Sequence, residues 1–371
     1  MGKIRVLVVD DAVVFRRHVA AALASDPALE VVGTAADGRI ALAKFAQLNP
    51  DVVILDVEMP EMDGLKVLAE LRKTHRQLPV IMFSSATERG ATVTLDALAI
   101  GATDYFTKPG SALGVAGGLE ASLEVIRAEL IPQIKNLCAA AQVVAAKTKS
   151  WPMLPKLPAQ HVVSPIPLAR SGGGMLAGAI GVVAVGASTG GPKALMELFA
   201  QLPADFPVPI LVAQHMPPMF TRMLAERLNA GSLLPVKEAV SGAVLEAGHV
   251  WIAPGDFHLV VVRDGAHVRL LVHHDAPENS CRPSVDVLLR SVAKTYGSNA
   301  LTVILTGMGV DGLRGCETIR AAGGQIVVQD EATSVVWGMP GSIARANLAD
   351  KVVSLPLIAD EIVRRARGSK F

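Results

Sequence analysis

The stretch GASTGGPKALMEL, residues 186–198, places Ser188 among small residues directly behind the apolar run AIGVVAV. Gly186, Ser188 and Gly190 have the G-x-S-x-G spacing of a nucleophile elbow, a sharp strand-to-helix turn that exposes a serine at the top of a sheet. Pro192 suits the first turn of a following helix. The same spacing also serves turns that only bind phosphate or cap a helix. A nucleophile therefore requires partners: a base within hydrogen-bond reach and an acid that orients the base. Of nine histidines, His215 directly follows the apolar run VPILVAQ, which would bring its ring to the sheet edge that holds Ser188. His249 precedes its apolar run and belongs at the opposite edge, and His258, His273 and His274 fall in or beside hairpin-like strands. His18, His75 and His161 belong to the front half or the connecting segment. Asp311 follows LTVILTGMG, a third apolar run with a glycine-rich turn, whereas Asp286 lies inside a helical pattern. Ser188, His215 and Asp311 are the expected nucleophile, base and orienting acid.

A second set of reactive types occupies the front half. Asp10 and Asp11 close the run IRVLVV, and Asp56 closes DVVILD. In a doubly wound sheet the carboxyl ends of neighbouring strands line one crevice, so these three carboxylates should converge. Close acids need a cation to stay charged, and hard oxygen donors favour Mg²⁺. Ser84 and Lys108, at the ends of the next two runs, are a hydroxyl and an ammonium suited to phosphoryl oxygens.

The elements that must position these groups follow from periodicity. Up to residue 127, short apolar runs alternate with amphipathic stretches, the pattern of five βα units and a parallel sheet covered on both faces. Residues 128–178 continue an Ala-rich helical pattern interrupted by Pro132, then give way to a Pro- and Gly-rich linker containing Trp151. Residues 179–371 form a second α/β domain with a mixed, mostly parallel sheet and a hairpin around Arg263 to Ala266. The fold class is thus α/β, with two doubly wound domains.

Bulk properties exclude several classes. Lys+Arg 35 against Asp+Glu 34 leaves no basic footprint for nucleic acid or an anionic membrane. Three cysteines without metal-type spacing indicate a reducing, cytoplasmic setting and no structural zinc. The N-terminus lacks the organisation of a signal peptide. The uncharged stretch SGGGMLAGAIGVVAVGASTGG is glycine-loaded at its ends and β-branched at its centre, which fits a buried strand rather than a membrane helix.

Residues 3–127 resemble a two-component receiver domain of the flavodoxin-like type, through the VVDD pair, Asp56 with Met59 and Pro60, Gly64, the SSA step at Ser84, and DYFTKP. The resemblance implies that Asp56 accepts a phosphoryl group from a sensor histidine kinase. It further implies Mg²⁺ on Asp10, Asp11, Asp56 and the carbonyl of Glu58, with Ser84 and Tyr105 as a switch pair. The back half resembles the chemotaxis protein-glutamate methylesterases, the CheB family, through GASTGGPKAL, QHMPPMFTRMLAERL, APGDFHL, RPSVDVLLRSVA, LTGMGVDG and EATSVVWGMP. That implies a Rossmann-like catalytic domain without a cofactor, and hydrolysis of glutamate methyl esters on methyl-accepting chemoreceptors with release of methanol. It also implies deamidation of receptor glutamines, with oxyanion donors from the backbone of Thr189 and Met308. The linker is longer and richer in proline than the family pattern. A receiver joined to a hydrolase implies gating, in which the unphosphorylated front domain packs over the Ser188 crevice. Two other readings are a response regulator whose back half only binds, which would need a basic recognition helix that is absent, and the same esterase serving a receptor array outside chemotaxis.

Overall fold

The β-branched runs of the front half form five strands: β1 (Ile4–Val9), β2 (Leu29–Ala35), β3 (Val52–Asp56), β4 (Val80–Ser84) and β5 (Asp104–Thr107). They alternate with α1 (Val13–Ala24), α2 (Gly38–Leu48), α3 (Gly64–Thr74) and α4 (Glu88–Ile100). The computed structural model describes residues 2–85, 87–109, 118–149 and 179–368, so the expected linker, with Trp151 and His161, lies outside the described residues. The front sheet is parallel, in the order β2-β1-β3-β4-β5. Helices on both faces bury β3, β4 and β1 from Val6 onward, which is why these central runs are continuously apolar, whereas the edge strands β2 and β5 are part-exposed.

Behind this domain, helical structure runs through α5 (Gly118–Val125), a wide π turn at Ile126–Leu130 and α6 (Ile131–Lys149). The chain passes Pro132 without stopping. The π turn, in which the Ile131 N–H bonds to the Ile126 carbonyl, takes up the register change just before the residue that has no donor. Ile126, Leu130, Ile134 and Leu137 bury one face of this helix against Val8, Val19 and Leu23 of the front domain.

The back half contains β6 (Val182–Ala187), α7 (Gly191–Phe199), β7 (Ile210–Gln214), α8 (Pro218–Gly231), β8 (Val236–Glu238), β9 (Val250–Ile252), β10 (His258–Asp264) and β11 (His267–His273). It continues with α9 (Val285–Tyr296), β12 (Ala300–Ile304), α10 (Leu313–Ala321), β13 (Gln325–Gln329), α11 (Met339–Arg345), β14 (Lys351–Val353) and α12 (Leu355–Ala366). Seven strands make one parallel sheet in the order β14-β13-β12-β6-β7-β9-β8. The hairpin does not join it: β10 and β11 pair only with each other, as an antiparallel two-stranded sheet. The main sheet is therefore not mixed. Strands β8 and β14 carry three residues each, too few for a period to show in the sequence.

The two halves pack α4 on α8. Glu88 pairs with Arg222 at 2.6 Å, Asp96 pairs with Arg227, and Thr92 Oγ1 meets Met223 Sδ at 3.6 Å. Tyr105, on β5, stacks on Phe220 with centroids 4.8 Å apart and planes 12° apart. On the α6 side, Val336 of the back half is buried in the front-domain cluster, with Met308 and Val335 packed against it.

Candidate active site

The strand ends of the back sheet bring the three expected residues to one edge. Ala187 pairs with Gln214 across β6 and β7, so Ser188 and His215 each follow one of these paired residues. The His215 N–H donates to the Ala187 carbonyl at 3.1 Å, Gln214 Nε2 to the Ser188 carbonyl at 3.0 Å, and the Ser188 N–H to Thr306 at 3.1 Å. Two glycines allow this convergence. Gly190 turns the chain at φ +76, where a Cβ would also lie 2.6 Å from Val335 Cγ2. A Cβ on Gly307 would come within 2.9 Å of the Ser188 Cβ.

His215 Nε2 lies 2.8 Å from Asp311 Oδ2. Asp311 is 2% exposed and densely solvated by protein. Oδ1 accepts from Ser284 Oγ at 2.9 Å, Asn279 Nδ2 at 2.9 Å and the N–H groups of Asp286 and Gly312, both at 3.1 Å; Oδ2 accepts the Val285 N–H at 2.7 Å. Three of these donors belong to the first turn of α9 and its Ser284 cap, whose positive dipole end favours an anion. Burial favours the neutral acid, but His215 and these amides outweigh it and hold Asp311 well below the usual carboxylate range. Burial likewise opposes charge on the imidazole, yet the bonds to Asp311 and Cys281 push His215 up to about 10. Neighbouring Asp286 is raised, first by burial and then by the charge of Asp311, while it accepts from the Gly315 N–H and Asn279.

Ser188 Oγ makes no hydrogen bond to His215; the Nδ1 atom of that ring faces Cys281 Sγ at 3.5 Å. Such bonds often tighten only when substrate binds. The N–H groups of Thr189 and Met308 have no acceptor among the described residues. His258, in the hairpin, accepts the Ser284 N–H on Nδ1 at 3.2 Å and so steadies the Asp311 shell from behind.

The front cleft lies at the ends of β1, β3, β4 and β5. Carboxylate oxygens of Asp10, Asp11 and Asp56 all lie within 4.8 Å of one another. Lys108 Nζ bridges Asp10 Oδ2 at 2.7 Å and Asp56 Oδ2 at 2.8 Å. One ammonium against three carboxylates leaves an excess of hard oxygen charge, so the donor set fits a divalent cation such as Mg²⁺. Burial first, then the charge of Asp10, raises Asp56 to about 6 against the pull of Lys108. Ser84 Oγ is fully buried beside this cleft, and the Glu58 N–H reaches Asp56 Oδ1 at 3.4 Å. Tyr105 is turned away from it, onto Phe220.

Sequence reasoning missed three groups of contacts. Ser284 carried a local signal, a serine directly before an apolar helical period. Asn279 and Cys281 carried none. Neither did Asp104, which is buried on β5, accepts Gln133 Nε2 at 2.6 Å and takes a hydrogen bond from the side chain of Thr189, next to Ser188. Burial raises Asp104 to about 6 despite these bonds.

A parallel α/β domain with a serine, an imidazole and a buried acid at one edge, joined to a receiver-type acid cleft, is the architecture of a hydrolase carrying a receiver domain. Residues 183–362 match the family model described as CheB methylesterase, and residues 6–113 match the response regulator receiver domain. A protein-glutamate methylesterase/protein-glutamine glutaminase of Trichodesmium erythraeum is 49% identical over 368 residues, 98% of this chain and 99% of its own length. One of the same name from a Nocardioides species is 47% identical over 372 residues, 98% of this chain and 96% of its own. The Thermotoga maritima CheB methylesterase catalytic domain, a crystal structure, is 42% identical with a TM-score of 0.49, covering 50% of this chain and 98% of that one. The chain belongs to the CheB family of protein-glutamate methylesterases, carboxylic ester hydrolases carrying a response regulator receiver domain. Among the described residues, no helix is long and apolar enough to cross a membrane.

Proposed function

We propose that this chain hydrolyses γ-glutamyl methyl esters on chemoreceptor helices and deamidates receptor glutamines at the same site, under control of phosphorylation at Asp56 by a sensor histidine kinase. The observation that carries the reading is the His215–Asp311 pair, 2.8 Å apart at the strand edge where Ser188 emerges. Asp311 occupies Nε2, so Nδ1 is the nitrogen left to take the Ser188 proton. Ser188 Oγ attacks the ester carbonyl, and the unused N–H groups of Thr189 and Met308 receive the oxyanion. Asp311 stabilises the imidazolium, which returns its proton to the departing methoxide and so releases methanol. Water activated by the same imidazole then frees the glutamyl carboxylate from Ser188. With an amide substrate the leaving group is ammonia and the remaining steps are unchanged. The direct test is methanol release from methylated receptor membranes, with and without a small phosphodonor; absence of release in both arms overturns the reading.

The raised imidazole sets the pH dependence. A protonated His215 cannot act as base, so kcat/KM is low below its pKa and climbs as the proton is lost. With the pKa displaced upward from an ordinary histidine, toward about 10, the acid limb extends into the alkaline range. A pH–rate profile measured on the unphosphorylated protein should still be rising above pH 8. A plateau reached by about pH 7, as for an unperturbed histidine, would contradict it.

In the front cleft, Asp10, Asp11, Asp56 and the Glu58 carbonyl would hold Mg²⁺, which when bound offsets the negative charge gathered around the acceptor. Asp56 takes the phosphoryl group, Lys108 moves its ion pairing to a phosphoryl oxygen, and the Ser84 hydroxyl binds another. The vacated side of Ser84 admits Tyr105, which must leave Phe220 to reach it. That stack is worth roughly 0.5–1.5 kcal/mol, and each exposed pair on α4 and α8 roughly 0–1 kcal/mol. Each of these contacts around Tyr105 and α4 is weak enough for one phosphorylation to shift it. Asp56→Asn should therefore keep the unstimulated methanol release of wild type and lose all response to phosphodonor. Stimulation equal to wild type would place the acceptor elsewhere.

A further inference from the structure

Cys281 transfers no group in the ester reaction proposed above, yet its thiol meets the imidazole assigned as base. Cys281 Sγ and His215 Nδ1 are 3.5 Å apart. Zinc binds thiolate at about 2.3 Å and imidazole at about 2.0–2.1 Å in a tetrahedron, which sets those two ligand atoms about 3.5–3.6 Å apart. The separation of the pair is thus that of two ligands on one tetrahedral metal. The opposite nitrogen, Nε2, is held by Asp311 Oδ2 at 2.8 Å, the arrangement that fixes the tautomer and orientation of metal-binding histidines. One ligand atom from each of His215, Cys281 and Asp311 falls within 4.8 Å of the others.

The thiol is fixed in place by its turn. Glu278 and Cys281 exchange both backbone hydrogen bonds, at 3.1 and 2.9 Å, across Asn279 and Ser280 in the left-handed region. Asn279 Nδ2 anchors that turn to Asp286 Oδ2 and Asp311 Oδ1, both at 2.9 Å. A thiolate with an imidazole selects soft or borderline cations over Mg²⁺, whereas the all-oxygen front cleft has the opposite preference.

We propose that Cys281 and His215 form a seat for a thiophilic divalent cation, Zn²⁺ foremost, whose binding switches the esterase off. The cation takes the Nδ1 lone pair that would otherwise accept the Ser188 proton. Cys281 releases its thiol proton and the imidazolium releases its Nδ1 proton to solvent, His215 keeps its proton on Nε2 toward Asp311, and water fills the remaining positions. No redox change is involved. The inhibitory role rests on His215 being the base of the ester reaction, whereas the metal seat itself does not.

The test uses the full chain with Co²⁺ as a spectroscopic probe and Zn²⁺ as the inhibitor. Wild type should develop thiolate-to-cobalt charge-transfer absorption, lose it on addition of Zn²⁺, and show Zn²⁺ inhibition that a chelator reverses. Cys281→Ala, compared with its own metal-free rate, should lack the absorption and need on the order of 100-fold more Zn²⁺ for half-inhibition. Ser188→Ala should keep the cobalt absorption although it cannot turn over, so failure of the metal seat and failure of the hydrolase reading are separately visible. Absence of the absorption in wild type, or equal Zn²⁺ sensitivity in wild type and Cys281→Ala, overturns the seat. Absorption without inhibition overturns its role as a switch.

Discussion

Ser188→Ala lowers methanol release by at least about 10⁴-fold, on the scale set by loss of the nucleophile in serine hydrolases. Phosphoryl uptake at Asp56 and the melting transition stay at their wild-type values. The separation follows from what the substitution removes. The Ser188 backbone keeps its bonds to Thr306, Gln214 and Gly191, all made through main-chain atoms. Its hydroxyl supports no other described residue, and the front cleft lies on a different sheet. Measuring methanol from methylated receptor membranes and phosphorylation on the same preparations decides the matter. Equal methanol release by wild type and variant would remove Ser188 from the reaction.

Asp311→Asn should cost about 10⁴-fold in kcat, because an amide cannot stabilise the imidazolium and invites the wrong histidine tautomer. Unlike Ser188→Ala, it should also weaken the fold. Oδ1 accepts from four donors and Oδ2 from the Val285 N–H and His215, so whichever way the amide turns, its NH₂ group faces hydrogen-bond donors. Leaving such buried donors unpaired costs about 1–3 kcal/mol. The depressed pKa of Asp311 gives the sign of the pH effect. Its stabilisation is present at neutral pH, above the unfolded carboxyl pKa, and is lost as pH falls toward the lower folded value. Below about pH 4, where the carboxyl of the unfolded chain takes up its proton, the Asp311→Asn variant should therefore lose less stability than wild type does. Denaturant midpoints at neutral and acid pH, together with kcat, read both effects; a loss of kcat below about tenfold would exclude Asp311 as the orienting acid.

The reactive residues were legible because each stands just past an apolar run. Asp10, Asp56, Ser188 and His215 all sit where a buried strand ends, and a parallel sheet gathers such ends at one edge. What escaped depends on contacts between segments distant along the chain. Cys281 meets His215 across 66 residues, and Asn279 reaches Asp311 across 32. No local pattern encodes such a meeting, because it depends on how the β11 to α9 turn settles over the sheet edge. The hairpin β10–β11 is legible as two apolar runs meeting around Arg263 to Ala266, but that pattern says nothing about whether the pair joins a larger sheet. Pro132 gave the right local warning, and the chain answered with a π turn instead of a break.

The front half touches the back one at two residues of particular consequence. Asp104 holds the side chain of Thr189, and Asn136 of α6 reaches Met308. These are the two positions whose backbone amides would cradle the reaction's negative charge. On the proposed reading the brake rests on the catalytic pocket's own walls, so lifting it and freeing the oxyanion cradle to settle around substrate would be a single event.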